Sequence, residues 1–233
     1  MSSKNRDVRE VARKRRDASR SGPTRKFWRA CPALAIVMGG VLIALAAPRV
    51  VSAVIQLPAD RTTRLIESGQ PVDDGALARL AATRRGAIEW TRDGRQWAEL
   101  GLAQLKQAEN NPADREKLLG HAAAALQRSV ALSPIDTSAW MWLAEAELLR
   151  NGPSDEAAKA IRMSIRIAPH DRAVQLNRLE LALSTWQHFD EAARSEVAKQ
   201  VRLIHRRSPD RLRALAKEIG REDIVDIILE TTP

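Results

Sequence analysis

The chain has 233 residues, of which 44% are hydrophobic but only two are phenylalanine and none is tyrosine, and this favours helices packed on small side chains over an aromatic-rich sheet. Its net charge of +9 is concentrated at one end, because residues 1–30 carry eleven Lys/Arg against three acids and the remainder is close to neutral. This distribution argues against a nucleic-acid-binding domain, and the single cysteine, Cys31, excludes an internal disulfide.

A basic tail over residues 1–29 precedes an uncharged run, ACPALAIVMGGVLIALAAP, at residues 30–48. Nineteen helical residues span about 28 Å, close to the thickness of the hydrocarbon core of a bilayer. We therefore predict a single transmembrane anchor with its flank over residues 30–57. The basic tail predicts an inner-membrane protein with a cytoplasmic N-terminus and a periplasmic C-terminal domain. A signal peptide cleaved after Ala53, or a buried core helix, remains as an alternative.

Turn signals then divide the rest of the chain into helical stretches. Residues 58–74 are predicted as a linker, and Asp73 or Asp74 is suited to cap the helix that follows. Asp114 and Ser154 are candidate caps for two later helices. The predicted helices cover about residues 75–92, 95–109, 115–133, 137–150, 156–168, 172–184 and 191–209, with closing helices over 210–230.

The segment AIRMSIRIAP, residues 160–169, alternates apolar and polar residues as a strand does. It also matches ALQRSVALSP, residues 125–134, at an offset of 35 residues, with Ser and Pro in register. Apolar and small residues recur in it at spacings of three and four, which is one face of a helix. The repeat therefore favours helix over strand.

The offset aligns two stretches of the chain that share the same pattern of aromatic, small and proline residues. The better copy has Trp140, Leu143 and Ala144, then Ala157, Ile161, Ser164 and Pro169. The copy before it has Trp97, Leu100 and Gly101, then Ala122, Leu126, Ser129 and Pro134. At these positions the chain resembles the tetratricopeptide-repeat (TPR) family, although the first copy carries about nine extra residues and a third copy lacks the tryptophan.

The resemblance implies an all-α domain over residues 75–233 built as a short α-solenoid of helix–turn–helix units. Its repeats would cover about residues 95–134, 135–169 and 170–209, with capping helices over 210–230. In this register Trp140 is expected to be buried between repeat helices and Trp142 to be less so. Trp90, Trp142 and Trp186 are left for other packing or for exposed stacking surfaces.

In the TPR family the first helices of the repeats line an inner groove. Carried over to this chain, the partner-binding groove consists of Met141, Glu145, Leu148, Leu176 and Glu180. The same face includes Ala98, Leu102, Leu105, Ser138, Ala173 and Leu183. An apolar face with two acids suits an amphipathic, partly basic protein segment. The alternative is that neighbouring helices cover this face.

The residues that usually carry catalysis or bind metals form no recognisable motif. The four histidines are scattered, and the sequence has no HExxH, GxSxG, Gly-rich phosphate loop or calcium loop. We therefore predict no catalytic residue, no metal site, no cofactor and no enzymatic activity.

The layout of tail, anchor and repeats resembles that of small membrane-anchored TPR proteins associated with bacterial exopolysaccharide synthesis and export. The segment DGRQWAELGLAQL contributes to that resemblance. It implies a scaffold that holds a membrane or envelope protein partner and contacts no nucleic acid. The alternative is an envelope enzyme that acts on glycans, or a glycan-binding module.

Overall fold

A computed structural model of the chain describes residue 36 and residues 38–47 and 60–231. The chain divides into two compact units, Met1–Val50 and Val51–Pro233. In the first unit, residues 38–47 form helix α1. The predicted basic tail and most of the predicted anchor lie outside the described residues, and no helix within the described ranges is long and apolar enough to cross a membrane. The anchor therefore stays a prediction.

The second unit is all-α over its described residues, as the sequence predicts. Its helices are α2 Asp60–Glu67, α3 Asp74–Trp90, α4 Gly94–Asn110, α5 Arg115–Leu132, α6 Thr137–Asn151, α7 Asp155–Ile167, α8 Gln175–Ser184, α9 Glu191–Arg207, α10 Pro209–Glu218 and α11 Glu222–Glu230. A 3₁₀ turn, Trp186–His188, follows α8. The segment AIRMSIRIAP is helical through Ile167, which confirms the helix over the strand.

Several helices begin at a polar side chain that accepts a hydrogen bond from a backbone N–H of the first turn. These caps are Asp73 for α3, Asp93 for α4, Asp136 for α6, Ser154 for α7 and Asp190 for α9. Asp114 stands at the predicted cap of α5 but makes no such bond. Its carboxylate instead accepts from the Asn111 side chain at 3.2 Å, so the cap predicted there is wrong.

Helices α4 and α5 pack as an antiparallel hairpin, and α6 and α7 pack as the next one. In the first hairpin, a Cβ on Gly101 would lie 2.5 Å from Leu126 Cγ, so any larger residue there would force the two helices or the Leu126 side chain to shift. A Cβ on Gly94 would lie 2.5 Å from Ser133 Oγ and 3.1 Å from the Ser129 carbonyl oxygen. The second hairpin repeats that contact between Thr137 and Ser164, where the Ser164 hydroxyl donates to the Thr137 carbonyl at 3.2 Å. Equivalent contacts thus recur in successive hairpins.

The burial of the two tryptophans of α6 is the reverse of what the repeat register predicts. Trp142 is 9% exposed, whereas Trp140 is only half-buried. Trp140 lies in the first turn of α6, where its indole N–H donates to the Pro134 carbonyl at 2.9 Å. Trp140 therefore packs against the core only in part, and Trp142 is a buried member of the core instead.

The third hairpin starts later than predicted, because residues 172–174 form a turn and α8 begins at Gln175. Arg178 fixes this hairpin to the preceding one. Its fully buried guanidinium donates to the carbonyls of Ser164 and Ala168, at 2.9 and 3.0 Å, and so satisfies the C-terminal end of α7. Burial lowers the pKa of Arg178, and the Asp171 carboxylate opposes that shift.

The first part of the predicted linker is helical, since α2 covers Asp60–Glu67. A buried carboxylate, Glu99 of α4, explains why this segment is ordered. Glu99 forms an ion pair with buried Arg84 of α3 and accepts from Arg95 Nε at 2.7 Å. The Thr63 hydroxyl of α2 donates to the same carboxylate at 3.4 Å. One acidic side chain thus joins three helices.

Candidate binding groove

A cavity of about 720 Å³ lies on the side of the domain where the first helices of the hairpins meet. Helices α4 and α6 supply eight of its seventeen lining residues, the residues before and within α8 supply one side, and the α2–α3 segment supplies the other. We call this cavity the groove. Its volume is within the range of about 300–1,000 Å³ that is typical of ligand pockets.

The floor of the groove is apolar. It consists of Leu102 from α4 and of Met141 and Trp142 from α6, which are 1%, 6% and 9% exposed. Val174, before α8, adds a further buried side chain. Methionine and tryptophan here offer adaptable and flat contact surfaces, which suits recognition of apolar side chains.

The edge of the groove is charged. Lys106 Nζ of α4 lies 2.6 Å from Glu109 Oε1 and 3.4 Å from Glu145 Oε1 of α6. The Lys106 and Glu145 side chains retain 30% and 25% of their exposure, so this network lies between the apolar floor and solvent. The structure therefore brings an acidic cluster with one cation to the edge of an apolar cavity.

The pKa values of these groups reflect burial and charge acting in opposite directions. Burial raises the pKa of Glu145, the Lys106 ammonium lowers it, and the Glu109 and Glu180 carboxylates raise it, so that it lies above its usual value. Burial alone would lower the pKa of Lys106, but the carboxylates of Glu145 and Glu109 outweigh it and the pKa of Lys106 is raised. Attraction between the two groups therefore outweighs burial for Lys106 but offsets it only in part for Glu145.

The α2–α3 turn forms the remaining wall of the groove. Ile66, at the end of α2, and Gly69, Pro71 and Val72 of the turn all line it. Gly69 has φ of +71°, a left-handed conformation that favours glycine and lets the chain reverse between the two helices. The segment predicted as a linker is therefore part of the groove.

The structure brings together some of the residues predicted for the groove and places others elsewhere. Met141 and Glu145 line it, as do Leu102, Ser138 and Ala173. Leu148 and Leu176 are half-buried outside the lining, and Glu180 is exposed. Ala98, Leu105 and Leu183 lie in the core. In the third hairpin, Val174 and Asn177 line the groove instead.

Sequence reasoning missed Lys106 and the α2–α3 turn. The position of Lys106 could have been predicted, because it lies four residues after Leu102 and therefore on the same helix face. The sequence of the α2–α3 turn gives no comparable indication, since nothing in it specifies that the turn packs next to α4. Asn110, which also lines the groove, contacts this region by donating to Asp74 at 2.8 Å.

Outside the groove, the part of the chain that the structure describes offers few candidate binding or catalytic residues. No group of His, Cys, Asp and Glu there is arranged to hold a metal ion. His188 pairs with Asp155 at 2.8 Å on the surface. Among the tryptophans, Trp90 is 54% exposed, and Trp186 stacks beneath the Arg194 guanidinium at 5.7 Å. Comparison with protein-family models, curated proteins and solved structures finds no match.

Proposed function

We propose that the protein is a membrane-anchored scaffold whose groove binds a segment of a protein partner on the non-cytoplasmic side of the inner membrane. The observation that carries this proposal is the groove itself, where three successive first helices combine an apolar floor with a charged edge. Short hairpin arrays present concave surfaces of this kind to extended or helical segments of other proteins.

The proposal includes a TPR-like identity for the hairpins, supported by the close contact of Gly101 with Leu126 and by the equivalent contacts of Gly94 and Thr137. It also includes a partner that belongs to exopolysaccharide assembly or export. That part rests on the resemblance of the layout alone.

A photoreactive amino acid at Ser138 tests the groove directly. Ser138 lines the groove and is half-buried, whereas Ala124, on α5, is exposed and lies outside it. In native membranes, we expect the full-length chain to cross-link to one envelope protein from position 138 and not from position 124. Equal cross-linking from both positions, or none from position 138, would contradict binding in the groove.

Exposed Trp90 favours a second candidate, a glycan-binding surface, because flat aromatic rings stack on sugars. An exopolysaccharide retained by the full-length chain, and lost on Trp90→Ala while cross-linking from position 138 persists, would support it. An envelope enzyme would instead require a glycan product that forms only in the presence of the chain.

A further inference from the structure

We propose that the groove recognises its partner segment by one lysine or arginine side chain flanked by apolar residues, and that Lys106 occupies the place of that cation in the free protein. This inference rests on the proposed function, since it names the chemistry of the segment that the groove binds.

The first argument is the charge balance at the edge of the groove. Lys106 contacts Glu109 and Glu145, and the charge of Glu180 also acts on Glu145. Two carboxylates thus contact one ammonium, and Glu180 acts on one of them, so the network carries an excess of negative charge. A second cation would therefore be attracted there, whereas an acidic segment would be repelled.

The second argument is that the contact between Lys106 and Glu145 can be exchanged. Its length of 3.4 Å is well beyond the 2.7–2.9 Å that is typical of a strong charge-assisted hydrogen bond. Lysine reaches it through a flexible four-carbon chain, and its other contact, to Glu109 at 2.6 Å, remains when the first is released. An incoming cation can take over Glu145 without leaving Lys106 unpaired.

The third argument is the floor. Met141 and Trp142 lie on the same two turns of α6 as Glu145. An apolar side chain next to the partner's cation would reach the floor while the cation reaches Glu145. The apolar floor next to Glu145 therefore selects a segment that has an apolar side chain beside a cation. A purely charged segment is disfavoured because it would leave the floor uncovered.

The probe is a phage-displayed library of random heptapeptides, selected on the purified full-length chain. Ser138→Trp is the blocking variant, because Ser138 lies on the groove and is half-buried, so a larger side chain fills the cavity without replacing the core residue Met141. Circular dichroism confirms that the blocking variant stays helical. Peptides that the parent binds and Ser138→Trp does not are kept.

We expect these peptides to be enriched in Lys or Arg next to apolar residues. Glu145→Gln should weaken a selected peptide about two- to fivefold, and Lys106→Met should tighten it by a similar factor, as expected for partly exposed ion pairs. Lys117→Met, which changes an exposed lysine of α5 outside the groove, is the matched control and should leave affinity unchanged.

The outcomes separate the two proposals. Groove-dependent peptides without an excess of basic residues, or weaker binding by Lys106→Met, would overturn the cation site while the groove remains a peptide-binding site. If no selected peptide is sensitive to Ser138→Trp, the proposed binding function itself is overturned.

Discussion

Glu145 is the side chain at which burial and charge compete most directly, because it lies between the apolar floor of the groove and the Lys106 ammonium. Burial raises its pKa and the two neighbouring carboxylates, Glu109 and Glu180, add to that shift, so that Lys106 compensates only in part. Retaining a charge there costs folding free energy, which is the usual property of a binding residue rather than a structural one.

The raised pKa gives a pH dependence with a defined sign. A carboxyl whose pKa is higher in the folded state than in the unfolded state contributes stability below its unfolded value of about 4.3, and this is lost as pH rises through the folded value. We therefore expect the parent to lose free energy of unfolding relative to Glu145→Gln as pH rises from about 4 to 7. Denaturant unfolding at several pH values measures this. A parent that gains stability relative to the variant would contradict the shift.

The two tryptophans of α6 give a second prediction at this scale. Trp142 is 9% exposed and Trp140 is half-buried. Trp142→Ala should therefore lower the free energy of unfolding by about 3–5 kcal/mol, as large-to-small core changes do, and Trp140→Ala by clearly less. Thermal melts of the two variants decide this, and an equal or larger loss for Trp140→Ala would restore the register predicted from the repeat.

These residues also show what sequence could and could not predict. Met141 and Glu145 were predicted correctly as neighbours on one face, because helical spacing within α6 determines that relation. The burial of Trp140 was predicted wrongly, because it depends on whether another helix covers the first turn of α6. Side-chain burial at the end of a hairpin depends on tertiary packing, which the spacing of residues along one helix does not predict.

At the scale of elements, caps and helix-breaking residues predicted the helix boundaries, and α3 to α7 lie within two residues of their predicted limits. The exceptions are α2, in a segment too polar to predict as packed helix, and α8, which starts at Gln175. Asn177 of α8 lines the groove and Leu176 and Glu180 do not, because the rotation of α8 about its axis depends on packing that helical spacing does not determine. Packing between consecutive helices was predicted better than contacts between distant ones.

The contact between α4 and α5 gives a prediction with a matched control. A Cβ on Gly101 would meet the Leu126 side chain at 2.5 Å and the Ala122 carbonyl at 3.2 Å, whereas a Cβ on Gly120 of α5 would meet nothing within 4 Å. Gly101→Ala should therefore destabilise the protein by about 1–3 kcal/mol through overpacking. Gly120→Ala should stabilise it by about 0.5–1 kcal/mol, because alanine is the better helix former.

Denaturant unfolding of both variants measures the difference. Two stabilising substitutions would mean that α4 and α5 are farther apart than this hairpin requires.

At the scale of the whole molecule, the charge distribution predicts the topology. Residues 1–30 hold eight of the nine net positive charges and precede the uncharged run at 30–48. A reporter enzyme that is active only outside the cytoplasm, fused after Pro233, should therefore be active. An inactive fusion in intact cells would contradict the predicted orientation, and a mature chain that begins at Val54 would identify the run as a cleaved signal instead.

The position of α2 has a mechanical consequence. Any tension on the chain upstream of Asp60 enters the folded unit through α2, where Thr63 is the one fully buried side chain among residues 61–66. Ile66 and the turn that follows it are a wall of the groove. This wall would yield to a pull before the hairpins, which pack on each other more extensively. Pulling on the chain ahead of Asp60 would therefore open the groove while the rest of the domain stays folded.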